Sequence, residues 1–126
     1  MASEQVIDSK EIQLNEKSFL LQVDKFFDRT RLALESRDFA IAQGALRGIF
    51  NGLGSFVCDS DYLTNCKKTK LNSLSDSIFR IRNEIVNWVE VNGKDLAIII
   101  KENNIYERLA DNKKVLGGYI QEWYKI

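Results

Sequence analysis

Six apolar residues, Leu71, Leu74, Ile78, Ile81, Ile85 and Trp88, recur at spacings of 3-4-3-4-3. A strand would alternate with a period of two, so this run closes only as the seam of a helix lying at a shallow angle on its neighbours. No proline occurs anywhere in the 126 residues, and proline is the residue that most often stops a helix or builds a turn. The same spacing returns in Phe19, Leu20, Val23, Phe26, Phe27, Thr30 and Leu34, which predicts a helix ending near Ser36. It returns in Phe39, Ala42, Leu46, Ile49, Phe50, Leu53 and Val57, and in Leu96, Ile99 and Ile100 followed by Ile105, Tyr106 and Leu109. A last segment carries Val115, Leu116, Tyr119, Ile120, Trp123 and Tyr124. The expected fold is all-α, a single-domain antiparallel bundle of four to five helices.

Local signals place the boundaries. Residues 1–13 are polar and weakly patterned and read as a tail, leaving 14–126 as the bundle. Asn15 or Ser18 suits the start of the first helix, Asp38 the second and Asp95 the fourth, because short polar side chains accept hydrogen bonds from free N–H groups of a first turn. Asn92-Gly93 closes the third helix, with glycine where a left-handed cap is wanted. "CDSDYLTNCKKTK" reads as a polar connection, "KENN" as an interruption, and "VLGG" as a kink or a break. Gly52 and Gly54 either end the second helix or weaken it by about 1 kcal/mol each.

Composition removes several functions. The absence of histidine excludes Ser-His-Asp and Cys-His catalysis and every zinc site built on imidazole. Lys+Arg equals Asp+Glu at 18 each, so no overall field draws the chain to nucleic acid or to an anionic membrane. Cys58 and Cys66 lack metal spacing and do not form a disulfide framework. The first residues show no signal-peptide pattern, and the longest fully apolar run, Leu96–Ile100, is far too short to span a membrane. The expectation is a soluble, cytoplasmic protein with no cofactor, no metal and no membrane association.

Four groups are candidate surfaces. Gly44, Gly48 and Gly52 share one face of a helix and admit a second backbone, from a neighbouring helix or from a dimer mate. Phe79 and Val86 lie beside the main seam and leave that helix apolar over more than the ~100° one packing partner needs. Trp123 and Tyr124 are either core or interface anchors. Lys67, Lys68 and Lys70 form a short basic group, with only Tyr62 as a nearby aromatic for stacking a base.

The stretch "IRNEIVN" resembles the signature of the HEPN superfamily, an arginine followed after four to six residues by histidine. Arg82 matches the arginine, Asn83 the polar residue that often follows it, and Ile85-Val86 the apolar pair. Asn87 stands where the histidine belongs. The resemblance implies a small all-α bundle that dimerises. In active members it implies a metal-independent ribonuclease of a toxin–antitoxin or antiviral system, with Arg82, Asn83 and Asn87 at the catalytic positions. Asparagine cannot titrate near neutral pH, although it still donates and accepts hydrogen bonds. Residues five apart on one helix also point about 140° apart, so the pair converges only through a bend or a second subunit. The functional expectation is a non-catalytic interaction or regulatory protein that self-associates as a homodimer and binds a protein partner. A HEPN-like ribonuclease is the first alternative and a nucleic-acid-binding regulator the second.

Overall fold

The computed structural model describes residues 9–61 and 63–125. Among these there are five α-helices and no strand: α1 (Ser9–Glu35), α2 (Phe39–Asp59), α3 (Asn65–Val86), α4 (Leu96–Glu102) and α5 (Ile105–Trp123). A π turn, Asn87–Val91, follows α3.

The four long helices form an up-down-up-down bundle. α1 packs on α2 and α5, and α3 packs on the same two, so α1 and α3 stand on one diagonal. Cross-helix pairs fix the directions. Phe19 stacks on Phe56 while Gly48 lies against Phe26, so α1 and α2 are antiparallel. Gln43 meets Arg82 while Phe50 meets Ser75, which does the same for α2 and α3. Asp24 pairs with Lys113 and Glu16 with Tyr124, which sets α5 against α1. One end of the bundle therefore gathers the start of α1, the end of α2, the start of α3 and the end of α5. The α2–α3 connection lies at that end.

The core follows the helical seams. Leu20, Leu34, Leu46, Ile49, Leu53, Leu71, Ile78, Ile81, Ile85 and Leu116 are fully buried, each contributing roughly 2 kcal/mol of burial. The α3 seam is as expected up to Ile85. Trp88 is a correction, because it is half-exposed rather than buried. At Asn87 the helix widens, with Asn92 N–H bonded to Asn87 O at 3.1 Å. Five-residue spacing changes the phase of the side chains. Val89 then packs against the core, while Lys94 Nζ sits 4.2 Å over the Trp88 ring.

Several boundaries differ from expectation. α1 begins at Ser9, so residues 9–13 are helical and Asn15 and Ser18 lie inside the helix. No glycine or proline separates them from the first apolar face, and Glu, Gln, Lys and Leu are good helix formers. Residues 1–8 lie outside those described. α2 runs through Gly52 and Gly54 to Asp59, and α5 runs through Gly117 and Gly118. The α2–α3 connection shrinks to 60–64 because Thr64 Oγ1 accepts from Lys67 N–H and starts α3 early. Asp38 and Asp95 cap α2 and α4 as expected, accepting from Ile41 N–H (3.1 Å) and Ala97 N–H (2.8 Å). Gly93 has φ +65°, the left-handed conformation that glycine adopts without strain. Arg37 takes the corresponding position after α1 at φ 57°. Its N–H bonds Leu34 O, and Asp38 N–H bonds Ala33 O, a cap in which glycine is usual.

Candidate functional site

The HEPN-like residues have separate partners. Arg82 Nε and Nη2 both donate to Gln43 Oε1 of α2, at 3.2 and 3.0 Å, and Nη1 donates to Asn83 Oδ1 at 3.2 Å. The guanidinium thereby ties α3 to α2. Asn87 is exposed, and its carbonyl accepts from both the backbone and the side chain of Asn92. No hydrogen bond joins Arg82 to Asn87.

Two of the three glycines are occupied within the chain. A Cβ on Gly48 would lie 3.1 Å from the Phe26 ring, and one on Gly52 would lie 3.1 Å from Val23 Cγ2. They admit α1 rather than a second molecule, which corrects the interface reading for both; Gly44 faces open space. Phe79 is 45% exposed but meets Phe50 edge-on, with centroids 5.2 Å apart, so α2 covers part of the spare apolar side of α3. Val86 is half-buried. Tyr124 is buried in the core, a further correction to the interface set, and Trp123 stacks on Tyr119 at 4.7 Å.

The end of the bundle at 60–64 carries the most chemically distinct arrangement. Phe19 and Phe56 stack with centroids 5.4 Å apart. Phe56 is buried, but Phe19 stays 40% exposed, so the pair floors an open groove of about 420 Å³ between α1 and α2. Three acids line it, Glu16, Asp59 and Asp61, and no basic residue does. Glu16 is held firmly: Ser60 Oγ donates to Oε2 at 2.9 Å and Tyr124 Oη donates to Oε1 at 2.8 Å. Asp59 and Asp61 are exposed, and no ion pair reaches them among the described residues. The acids do not converge as metal ligands would. The recess at the opposite end is different, because Glu35, Arg37, Lys101 and Glu107 give it both signs of charge and no preference for either.

Across the bundle, on the α3/α5 edge of this same end, the charge is reversed. Lys67 Nζ lies 5.3 Å from the Trp123 ring centroid and Lys70 Nζ lies 5.8 Å from that of Tyr119. Lys68 stands beside them. The lysines belong to the first turns of α3, not to a polar loop.

Sequence reasoning missed the groove. It placed Val57 rather than Phe56 on the inner face of α2, although Phe56 follows Leu53 at a spacing of three. The Glu16–Tyr124 bond joins residues 108 apart and has no local signature.

The anchor at Tyr124 gives a pH-dependent prediction. Burial first, and then the Glu16 carboxylate, hold its phenol well above the ordinary tyrosine range. The folded chain therefore keeps the proton while the unfolded chain loses it near pH 10. The stability from this group is complete below that pH and declines above it. Tyr124→Phe is expected to cost about 1.5–3 kcal/mol at pH 7, the range for a hydrogen bond to a charged group. The variant should also lose less stability than the wild type between pH 9 and pH 11 in urea unfolding. Equal alkaline losses in the two proteins would refute this role for Tyr124.

No family model matches the chain, and no curated protein or solved structure matches it. No helix among the described residues is long and apolar enough to cross a membrane.

Proposed function

We propose that this chain is a non-catalytic interaction module of the cytoplasm, where Cys58 and Cys66 remain thiols. Its working surface is the groove at the 60–64 end. The observation that carries this reading is the exposed Phe19 ring, stacked on the buried Phe56 and set among the carboxylates of Glu16, Asp59 and Asp61. Apolar floor and acidic rim select one class of ligand, a protein segment with an apolar stem and a cationic tip. Lysine and arginine side chains have that build, and a cation over an aromatic face gains about 0.5–2 kcal/mol depending on how well it is desolvated.

The engagement of Arg82 with Gln43 favours this reading over RNA hydrolysis, because the guanidinium already has an acceptor within the fold. The lysines of α3 lie over Trp123 and Tyr119, whose faces would otherwise stack bases, and this disfavours single-strand binding.

The test is a titration followed by amide NMR, using a synthetic helical peptide with leucine on one face and lysine on the other. Resonances of Phe19, Phe56, Ser60 and Asp61 are expected to move, whereas the leucine/glutamate counterpart should leave them in place. Asp59→Asn with Asp61→Asn should weaken binding about five-fold or more. An equal response to both peptides would exclude the groove as the working surface. Cleavage of RNA in EDTA, abolished by Arg82→Ala, would return the chain to the HEPN-like ribonuclease reading.

A further inference from the structure

The outer face of α1 carries a second apolar line. Leu14, Ser18, Leu21, Lys25, Asp28 and Leu32 follow one another at spacings of 4-3-4-3-4, and all six are exposed. At about 100° per residue they run along one side of the helix, opposite the buried side of Leu20, Val23, Phe27, Thr30 and Leu34. Leu14, Leu21 and Leu32 keep 47, 42 and 57% of their surface in solvent, although α1 already packs on α2, α4 and α5. α1 stands at a corner of the bundle, so this side points away from the other helices. A further helix reaches it without meeting α2 or α5. The groove residues Ile12, Asn15, Glu16 and Phe19 lie about 100° or more round α1 from it.

We infer that a second copy of this chain docks on this line, giving a twofold dimer whose α1 helices run antiparallel and cross near Val23. The occupant is fixed by the order of the six residues, which is self-complementary. Leu14 and Leu32, Ser18 and Asp28, and Leu21 and Lys25 stand at equal distances on either side of Val23. A twofold axis at that level, perpendicular to the plane of the two helices, brings each residue opposite its counterpart, and every contact is made twice. Leucine then meets leucine at both ends. The Ser18 hydroxyl faces the Asp28 carboxylate as a donor, and Leu21 packs on the apolar stem of Lys25. Parallel pairing would instead set Lys25 on Lys25 and Asp28 on Asp28, which like charges oppose. The flanks agree. On the side towards α5, Lys10 and Lys17 belong to the first half of α1 and Asp28 and Glu35 to the second. Antiparallel helices bring the same flank of each together, so the basic half of one meets the acidic half of the other. Glu11 and Glu35, the next positions at this spacing, bound the contact to about 27 Å of helix. A single helix pair of that length belongs to the weak class of interfaces, with a micromolar dissociation constant. The dimer leaves both grooves open and goes beyond the interaction-module reading without resting on it.

Sedimentation equilibrium of the 14.5 kDa chain is expected to show a monomer–dimer equilibrium. Leu14→Gln with Leu21→Gln and Leu32→Gln should weaken it about tenfold or more, since six leucines are lost from the contact. All three positions are exposed and glutamine is a good helix former, and circular dichroism checks the fold. Orientation is read by cross-linking. One chain carries Leu14→Cys and another Leu32→Cys, each with Cys58→Ser and Cys66→Ser. On mild oxidation the equal mixture should give a covalent heterodimer. Either chain alone should give far less, because its two new thiols stand about 27 Å apart in the dimer. This second measurement reads the same contact should the triple variant not fold. A wild type that is monomeric at about 1 mM overturns the dimer. A folded triple variant that associates undiminished overturns this interface, and single-cysteine chains that cross-link alone as readily as the mixture overturn the antiparallel pairing. The leucine/lysine peptide separates the two readings. A monomeric wild type that still binds it leaves the groove standing and ends the dimer, whereas a cross-linked dimer that binds no peptide ends only the groove.

Discussion

Replacing Gly44, Gly54, Gly117 and Gly118 together by alanine is expected to raise the free energy of unfolding by about 3–4 kcal/mol. All four lie inside helices, two in α2 and two in α5. A Cβ added at any of them meets nothing within 4 Å, and none has a positive φ. Each substitution therefore stiffens the unfolded chain at no steric cost in the folded one. The α2 pair is ten residues, about 15 Å, apart, and the α5 pair lies on another helix, so the two sets should add. For a chain of this length the gain corresponds to a rise in Tm of roughly 10 °C or more. Gly48 and Gly52 form the contrast, because alanine there presses on Phe26 and Val23 at 3.1 Å. That contact is tight enough to offset most of the helix-propensity gain. Thermal unfolding of the four-fold variant, beside a Gly48→Ala/Gly52→Ala variant, measures both effects. A four-fold variant no more stable than the wild type would mean that its glycines face something on the folded surface. Equal gains in both variants would remove the packing role given to Gly48 and Gly52.

The helices were legible because their apolar residues repeat with the helical period, and that period is a property of neighbouring residues. Asp38 and Asp95 were legible as caps for the same reason, since the bond each accepts reaches only two or three residues ahead. The errors arose where a distant partner overrides a local preference. Gly52 suggests a helix end, yet α1 presses Val23 against it and the helix continues. Trp88 fits the seam by spacing, yet the chain widens at Asn87 and Val89 packs inward instead. Arg82 read only as the arginine of the HEPN-like stretch, because Gln43, its acceptor, is 39 residues away. The candidate site was illegible on the same grounds. Glu16, Phe19, Phe56 and Asp61 meet only because α1 and α2 run antiparallel, and Glu16 is held by Tyr124 from the far end of the chain. Individually, Phe19 reads as a core aromatic and Asp61 as a loop residue, while Glu16 and Phe56 carry no signal of their own.

Ile85→Ala is expected to lower the free energy of unfolding by about 3–4 kcal/mol, within the range for emptying a fully buried isoleucine site. Ile85 has no exposed surface and sits at the last turn of α3 before the helix widens. Its loss removes transfer energy and leaves a cavity between rigid helices that can close only in part. Alanine's better helix propensity returns a few tenths of a kcal/mol. The position discriminates between two accounts of the stretch Phe79–Glu90. If packing explains it, Ile85→Ala should be severe, while Asn87→Ala at the exposed start of the π turn should stay within about 0.5 kcal/mol. Arg82→Ala should fall between them at about 1–2 kcal/mol, since it strips Gln43 of its donor in a half-buried setting. Urea unfolding reads all three as a shift in midpoint at constant m. A cost at Asn87 equal to that at Ile85 would contradict the exposed placement of Asn87. A change in m for Ile85→Ala would mean that the end of α3 unfolds apart from the bundle, and the same alanine would then report a local transition.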